Sequence, residues 1–338
     1  MMRVLCLTHA WPTAEKDVAG IFVQRQVASL RELGVTVDVR VAGGAGGSRW
    51  PGLVACLREE VTRRSYDLLH AQYGGRTALA AVLVGGPPVI VSYCGSDLNG
   101  LGTGTPRERA HAGAGVLCSQ FAALHARGLI VKSEGLANRL WRAWDRKRCH
   151  IIPNGIDLEL FRPMGRRQAR ARLGWELDGA VVLVSGQSDG PVKRLDLAEA
   201  AVAQARNRVP GLSLRLLRGV PPREVPLHLN AADLVLLTSQ HEGSPNIVKE
   251  ALACNVPVVS VDVGDVKRWI SGTPHCWLCD REPASLAEGI VRALSGGGRS
   301  EGRAVVAPLA LPGVAARVLD VYEEALSVRR TERLFARR

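Results

Sequence analysis

Two glutamates, Glu242 and Glu250, enclose the segment Glu-Gly-Ser-Pro-Asn-Ile-Val-Lys-Glu, and their spacing is the feature of this sequence that most suggests chemistry. The first precedes a predicted helix and the second lies about a turn and a half inside it, so the two carboxylates can contact different parts of one extended ligand. Sugar and ribose hydroxyls are suitable partners. Because isolated glutamates are usually solvated, the pair indicates a site only together with its surroundings.

The residues between the glutamates have the pattern of a helix N-terminus. Ser244 is a favourable N-cap and Pro245 suits the first helical position, which leaves the backbone N–H groups of Asn246 and Ile247 without helical partners. Such donors, together with the positive end of the helix dipole, favour an anionic group. We therefore predict that a diphosphate binds at this helix start, next to Gly243.

Short β-branched apolar runs alternate with helical patterns along almost the whole chain, as in parallel sheets with crossover helices. The predicted strands are 4–8, 35–41, 67–72, 89–93, 129–132 and 150–152, then 181–185, 212–217, 234–238 and 257–261. The prolines and the Asn-Gly pair within 153–163 predict a hinge between the two series, and the glycines of 296–302 predict a flexible connector. The fold class is therefore α/β, with two doubly wound halves whose ligands bind beyond the carboxyl ends of the strands.

Longer stretches around these residues resemble glycosyltransferase family 4, whose members are retaining enzymes of the GT-B fold. The matching stretches are Ala-Ala-Asp-Leu-Val-Leu-Leu-Thr-Ser at 231–239, Glu-Gly-Ser-Pro-Asn-Ile-Val-Lys-Glu-Ala at 242–251, Ala-Cys-Asn-Val-Pro-Val-Val at 253–259, Val-Gly-Asp at 263–265 and Ile-Ile-Pro-Asn-Gly-Ile-Asp-Leu-Glu-Leu-Phe-Arg-Pro at 151–163. The likeness extends over nearly the whole chain. It implies two Rossmann-like domains facing each other across a cleft. The acceptor-binding domain would cover 1–158 and receive a returning helix at about 314–338, and the nucleotide-sugar-binding domain would cover 159–313.

By this resemblance, Glu242 contacts hydroxyls of the donor sugar, Glu250 contacts the ribose, and residues 243–247 hold the sugar and phosphate. The nucleotide-sugar is then a substrate, and no cofactor is expected. The stretch between the strands at 212–217 and 234–238 is shorter than in most members, so the base stays open, with UDP- and GDP-sugars as the first candidates.

The family also places an arginine and a lysine, six residues apart, on the diphosphate. Lys193 matches the lysine, whereas Gln187 stands where the arginine is expected. Arg194 is a candidate replacement, and an exposed cation in the first turn of the following helix is the alternative.

The first half carries further candidates at predicted strand ends. Gly20 opens the first helix, where its backbone can approach a phosphate or form an ordinary N-cap. Asp97 is expected to bind an acceptor hydroxyl, with capping of the next helix as the alternative. Cys94 stands where many members have a histidine near the reacting sugar, so it is expected only to line the cleft or to pack. His70 is expected to be a hydrogen-bonded structural histidine.

The resemblance implies sugar transfer to a glycan, lipid-linked or small-molecule acceptor with retention of configuration, and Lys193, Glu242 and Asp97 are the catalytic candidates. Negative charge builds on the departing diphosphate, and a lysine and a helix start would stabilise it without a metal. No Asp-x-Asp motif follows a predicted strand, in keeping with this expectation. Two alternatives stay open: a sugar-nucleotide epimerase on the same scaffold, and a non-catalytic nucleotide-sugar-binding subunit, suggested by Gln187 and Cys94.

Composition narrows the partners and the compartment. The net charge of +12 suits an anionic substrate, a membrane surface or nucleic acid, but no nucleic-acid-binding motif accompanies it, so no nucleic acid is expected. The apolar run at 4–7 is too short for a signal peptide and no run reaches 18 residues, so we expect a cytosolic protein. The basic stretch 138–148, with Trp141 and Trp144, resembles an interfacial helix and predicts reversible contact with an anionic membrane, inward packing being the alternative.

Eight cysteines are scattered mostly inside apolar stretches, which predicts buried thiols and not a disulfide framework. Cys276 and Cys279 have the spacing of a zinc or redox pair. No second pair follows at finger-like distance, so no metal site is expected.

Overall fold

The computed structural model describes residues 1–13, 18–42, 50–100, 104–186 and 191–335. The chain divides into two compact units. The first, called here the N-terminal unit, comprises Met1–Gly155 together with Leu311–Arg338, and the second, the C-terminal unit, is Ile156–Ala310. Gln187, the residue expected in place of an arginine, lies outside the described residues.

The elements follow in chain order. The strands are β1 Arg3–Thr8, β2 Thr36–Val41, β3 Leu68–Gln72, β4 Val89–Tyr93, β5 Gly128–Val131, β6 Cys149–Ile151, β7 Val181–Ser185, β8 Ser213–Leu217, β9 Leu234–Leu237, β10 Val258–Val261 and β11 Trp277–Cys279. The helices are α1 Ile21–Glu32, α2 Trp50–Arg63, α3 Gly75–Val84, α4 Ser96–Asn99, α5 Pro106–His125, α6 Glu134–Ala137, α7 Ala143–Arg148, α8 Arg166–Leu173, α9 Leu195–Ala205, α10 Val225–Ala231, α11 Asn246–Ala253, α12 Val266–Ile270, α13 Pro283–Ser295, α14 Gly302–Val306 and α15 Leu311–Phe335, with 3-10 turns at Pro191–Lys193 and Ala307–Leu309.

The N-terminal unit is built on a parallel six-stranded sheet in the order β2-β1-β3-β4-β5-β6. Every residue of β3 and β4 is buried, as expected for strands covered on both faces. One face, which carries Leu5 and Leu7, packs in a cluster with Leu57, Ala78 and Ala122 of the surrounding helices. The other face is covered by α1 and α15.

His70 of β3 joins the sheet to the last helix. Its Nδ1 lies 2.5 Å from the Tyr322 hydroxyl of α15, and its Nε2 lies 2.8 Å from the Ser92 hydroxyl of β4. Burial, assisted by the charge of Lys132, lowers the pKa of His70 to about 3. The residue is therefore a neutral, doubly hydrogen-bonded structural histidine, which confirms the prediction.

The C-terminal unit is built on a parallel five-stranded sheet in the order β11-β10-β9-β7-β8. The predicted strands of both sheets are confirmed to within one or two residues, but β11 was missed. It has three residues, and the Trp277 and Leu278 side chains are each 37% exposed, so no alternating burial pattern marks it. Both sheets are of the Rossmann-like kind that the α/β prediction required.

The segment 296–302 is predicted to be a flexible connector, but hydrogen bonds fix it to the rest of the unit. The Arg299 guanidinium donates to the backbone oxygens of Asn230 and Ala232, at 2.5 and 3.2 Å. Ser300 is buried, and its N–H donates to the oxygen of Asn255 at 2.9 Å. These bonds hold the segment against the helical side of the unit.

Two further predictions need correction. The basic stretch 138–148 is not one helix: only α7 within it is helical, and Trp141 lies in the turn before α7. Of the cysteines, Cys6 and Cys254 are buried, Cys56 is exposed and the others are half-buried, so the prediction of buried thiols holds only in part. Among the helices in the described ranges, none has the length and apolar content needed to cross a bilayer.

Candidate active site

The loop after β9 is fixed to the 3-10 turn after β7 at the carboxyl edge of the C-terminal sheet. The Thr238 hydroxyl lies 2.9 Å from the backbone oxygen of Lys193 and 3.0 Å from that of Arg194, within hydrogen-bond distance of both. The N–H of Gln240 donates to the oxygen of Val192 at 2.7 Å. Since β7 and β9 are adjacent, these contacts bring two loops together where ligands of doubly wound sheets bind.

Lys193 and Glu242 form an ion pair across these loops. The Lys193 Nζ lies 2.7 Å from Glu242 Oε1, and the side chains are 25% and 17% exposed. The lysine expected at the diphosphate and the carboxylate expected at the sugar are thus in direct contact. The pair keeps one cation and one anion together at the edge of the site.

Helix α11 begins one residue later than predicted. Asn246 is its first residue and Pro245 occupies the N-cap position, with φ −67° and ψ 116° and no side-chain capping bond. The prediction that Ser244 caps the helix is wrong, because its hydroxyl is used elsewhere. The amide end of α11 is therefore free of a side-chain cap, and Ile247 lies buried in its first turn.

Ser244 belongs to a buried network that the sequence did not reveal. The Lys249 Nζ donates to the Ser244 hydroxyl at 2.5 Å, and that hydroxyl donates to Asp265 Oδ2 at 2.7 Å. The Trp269 indole donates to the same carboxylate oxygen at 2.8 Å. Lys249 is fully buried. The network ties the start of α11 to α12 and so fixes the segment that follows Glu242.

Arg281, just after β11, holds the loop that follows β9. Its guanidinium donates to the backbone oxygens of Thr238 (3.2 Å), Ser239 (2.6 Å) and Gln240 (3.3 Å). Burial, together with the nearby charge of Arg194, lowers the pKa of Arg281. No sequence pattern indicates this role, because Arg281 follows β11, the strand that the pattern does not mark.

Gly264 approaches the Glu242–Gly243 backbone closely. Its φ is +61°, and a Cβ at this position would lie 2.9 Å from the Gly243 oxygen and 3.2 Å from the Glu242 oxygen. Any larger residue would push the loop away. A glycine is thus required by both its backbone conformation and its neighbour.

The remaining donor-site candidates differ in what they contact. Arg194 has a left-handed conformation, with φ +49°, and its guanidinium binds the Asp196 carboxylate at 2.8–3.1 Å. It is therefore engaged at the start of α9, as in the alternative interpretation of this residue. Glu250 is half-buried within α11, and its charge adds to burial in raising the pKa of Cys254 to about 12.

Three buried polar atoms near Glu242 have no hydrogen-bond partner within the part of the chain that the structure describes. They are Ser239 Oγ, His241 Nε2 and Asp265 Oδ1. Buried polar atoms are nearly always paired, so unpaired ones at a sheet edge are positions that a polar ligand can satisfy. They extend the candidate site beyond the residues named from the sequence.

In the N-terminal unit, Asp97 organises a loop. Its carboxylate accepts hydrogen bonds from the N–H groups of Gly74 (2.8 Å), Cys94 (2.9 Å) and Gly95 (2.7 Å). These bonds join the ends of β3 and β4, and α4 has no side-chain cap, so Asp97 does not cap that helix as in the alternative interpretation. Acceptor binding by Asp97 stays a prediction. Burial raises the pKa of the Cys94 thiol to about 12, so Cys94 stays protonated at neutral pH.

Gly20 adopts a left-handed conformation before α1, with φ +72°. A Cβ there would lie 2.2 Å from the Ala10 oxygen, so glycine is needed for close packing on the loop after β1. The same edge carries Tyr73, with φ +79°, whose ring centroid lies 4.2 Å from that of His9. A non-glycine residue in this conformation is strained, as is common at functional sites.

Two protein-family models match this chain. The one described as Glycosyltransferase Family 4 matches residues 2–160, and the one described as Glycosyl transferases group 1 matches residues 169–296. Together they cover both units. The chain belongs to glycosyltransferase family 4.

Curated relatives of this glycosyltransferase agree. TuaC of Bacillus subtilis (strain 168), whose descriptive name places it in teichuronic acid biosynthesis as a glycosyltransferase, is 26% identical over 86% of this chain and 89% of its own length. A D-inositol 3-phosphate glycosyltransferase of Geodermatophilus obscurus is 27% identical over 78% of this chain and 69% of its own.

Solved structures show the same fold. Sucrose-phosphate synthase from Thermosynechococcus elongatus has a TM-score of 0.81 and 17% identity, covering 97% of this chain and 100% of its own. HepE from Anabaena, solved with UDP-glucose, has a TM-score of 0.66 and 17% identity, covering 98% of this chain and 100% of its own. This glycosyltransferase therefore has two GT-B-type Rossmann-like units, as predicted.

Proposed function

We propose that this glycosyltransferase transfers a hexose from a UDP- or GDP-linked donor to a carbohydrate or lipid-linked acceptor, with retention of configuration and without a metal. The observation that carries the proposal is the Lys193–Glu242 ion pair at the carboxyl edge of the C-terminal sheet, followed by α11. A cation, a carboxylate and the backbone amides of a helix start are what a sugar diphosphate needs.

In the proposed reaction the anomeric carbon becomes oxocarbenium-like while negative charge grows on the leaving diphosphate. Lys193 and the amide groups at the start of α11 stabilise that charge. Glu242 accepts hydrogen bonds from hydroxyls of the donor sugar, and Glu250 binds the ribose. Attack comes from the face that the leaving group occupies, and the diphosphate assists removal of the acceptor proton.

The names of related proteins support proposals for both the donor and the acceptor. HepE was solved with UDP-glucose, which supports a uridine donor here. TuaC is named for teichuronic acid biosynthesis and other relatives for D-inositol 3-phosphate, so polymer assembly and small acceptors are both represented. We place this chain with the first group, in polysaccharide biosynthesis, because TuaC is matched over the larger share of both chains.

The donor is tested by native mass spectrometry with UDP-, GDP- and dTDP-sugars. We expect sugars linked to only one of these bases to bind. Their binding should weaken about tenfold or more in Glu250→Ala and stay unchanged in Glu199→Ala, which alters an exposed glutamate on α9.

Anomeric proton NMR of the product tests whether the configuration of the donor sugar is retained, and excess EDTA tests whether the reaction is independent of metals. Binding without transfer or hydrolysis would indicate a non-catalytic subunit, and epimerised free donor would indicate an epimerase. A Lys193→Ala, Glu250→Ala double variant that matched the parental rate would refute the site assignment.

We also propose that the N-terminal unit docks reversibly on an anionic membrane. Five exposed apolar side chains form what we call the aromatic patch: Leu117, Phe121, Leu124, Trp141 and Trp144, which are 43–66% exposed. Leu117, Phe121, Leu124 and Trp141 share a groove of about 530 Å³ with Arg142. An exposed apolar patch beside basic residues suits a surface of anionic lipids.

Sedimentation with vesicles tests the docking. The protein should bind vesicles containing phosphatidylglycerol and leave pure phosphatidylcholine in solution, and a Trp141→Ser, Trp144→Ser double variant should lose about tenfold in binding. Trp277→Ser, which removes a tryptophan of the C-terminal unit that is 37% exposed, is the control. Equal binding by the parent and the double variant would contradict the proposal.

A further inference from the structure

Two buried polar side chains at the carboxyl edge of the N-terminal sheet play no part in the site described above. Lys132, directly after β5, and Gln72, the last residue of β3, are each 1% exposed. Neither side chain forms a hydrogen bond or an ion pair with any residue in the described ranges, and Gln72 Oε1 is a fully buried atom without a partner. A buried, uncompensated ammonium is costly, so its presence calls for an explanation.

The sheet register places these two side chains around Cys94. Tyr93 pairs with Val131, so the next residues, Cys94 and Lys132, lie side by side. Gln72 pairs with Ser92 on the other side of β4. Because alternate residues share a face, Gln72, Cys94 and Lys132 occupy one face of three adjacent strands, within one residue step of the sheet edge. Ligands of doubly wound sheets bind beyond this edge.

No acidic side chain among the described residues forms an ion pair with Lys132. Asp97 attracts the ammonium, but its carboxylate is occupied by three backbone N–H groups and forms no ion pair with Lys132. His70 is neutral, and both of its ring nitrogens are already paired. Burial lowers the pKa of Lys132, and a bound anion would raise it again.

We propose that Lys132 and Gln72 form an anion subsite that binds an acidic group, phosphate or carboxylate, carried by the acceptor. The Lys132 ammonium supplies the charge, and the unpartnered Gln72 Oε1 accepts a hydrogen bond from a hydroxyl group next to the acidic group. This inference rests on the proposed function, because it takes the N-terminal unit to be the acceptor-binding one.

The test compares three probes that share a glucose ring: glucose, glucose 6-phosphate and glucuronate. Each is titrated calorimetrically into the full chain saturated with UDP or GDP, whichever of the two binds, so that the donor site is occupied. We expect at least one acidic probe to bind ten or more times tighter than glucose, and comparison of the two acids shows whether phosphate or carboxylate is preferred. The preference should vanish in Lys132→Met and survive in Lys147→Met, an exposed lysine of the same unit. Equal binding of all three probes, or a preference that persists in Lys132→Met, would overturn the proposal.

A thermal scan of Lys132→Met shows whether the substitution destabilises the fold. Lys132→Met replaces an unpaired buried ammonium with an apolar chain of similar length, so its Tm without ligand should equal or exceed that of the parent. A lower Tm would mean that the ammonium has a partner inside the fold, which also overturns the subsite. If neither UDP nor GDP binds the parental protein, the proposed function fails. If one of them binds but no acid is preferred, only this inference fails.

Discussion

The Lys193 ammonium lies 2.7 Å from the Glu242 carboxylate, so the two groups expected to hold the diphosphate and the sugar hold each other. In the proposed function, a donor separates this pair by binding the lysine with its phosphate oxygens and the glutamate with its hydroxyls. Until then each charge keeps the other in place, which limits the reorganisation needed when the donor binds.

Removal of Lys193 should lower turnover strongly and the free energy of unfolding only slightly. Lys193→Ala deletes the charge that we propose to stabilise the leaving group, and we expect turnover to fall about 100-fold. Because both side chains of the pair are partly exposed, the free energy of unfolding should fall by no more than about 1 kcal/mol. Initial rates and urea unfolding measure the two effects. Lys267→Ala, an exposed lysine of the same unit, should change neither, and a parental rate in Lys193→Ala would show that the lysine is not at the reacting group.

Gly264 allows a matched comparison of two glycines. Gly264→Ala combines a positive φ with a Cβ 2.9 Å from the Gly243 oxygen, whereas Gly272→Ala has φ +78° and no atom within 4 Å. Both should lose about 1–2 kcal/mol of unfolding free energy through backbone strain. Only Gly264→Ala should also weaken donor binding, since its Cβ displaces the Glu242 loop. Equal donor affinities in the two variants would mean that this contact does not set the site geometry.

Lys249 should be a large contributor to stability. Its ammonium is fully buried on the Ser244 hydroxyl, which bonds to Asp265. Lys249→Met leaves that carboxylate without the cation, and breaking a buried charged network of this kind costs about 3–5 kcal/mol. Urea unfolding measures the loss. The exposed Lys267→Met should change the free energy by less than about 0.5 kcal/mol, and a similarly small effect at Lys249 would contradict the network.

His70 should make the N-terminal unit acid-sensitive. Its pKa falls from 6.5 to about 3 on folding, so between these values the unfolded chain binds a proton that the folded chain does not. The free energy of unfolding should therefore decrease as pH drops below 6.5, by up to about 1.4 kcal/mol per pH unit, and should show no slope from this residue above 6.5. Urea unfolding at pH 7, 6 and 5 should give a shallower dependence in His70→Gln and a parental one in His111→Gln, an exposed histidine.

The sequence predicted the parts of the fold that depend on local pattern. Strand β9 and the helix after Glu242 have continuous apolar runs and a clear helix start, and both were found within one residue. The sequence also predicts the carboxylate and the lysine of the ion pair as site residues, because both follow strands and lie within motifs that resemble a known family.

What could not be predicted depends on contacts between distant segments. Ser244 has the residue type and position of an N-cap, but the competing bonds from Lys249 and Asp265 decide its role. Arg281 acts through three backbone oxygens more than 40 positions away, and nothing local marks it. Lys132 sits in an ordinary apolar strand pattern, and only the fold shows that its ammonium is buried.

The hydrogen bond between His70 and Tyr322 makes the N-terminal unit depend on a residue that is synthesised late. Tyr322 lies beyond residues 156–310, so a ribosome makes the whole C-terminal unit before the side chain that closes the core of the N-terminal unit exists. Until α15 emerges, that face of the N-terminal sheet has only α1 to cover it, whereas every residue of the C-terminal unit has already been made. The half of the molecule that is made first is the half that finishes folding last.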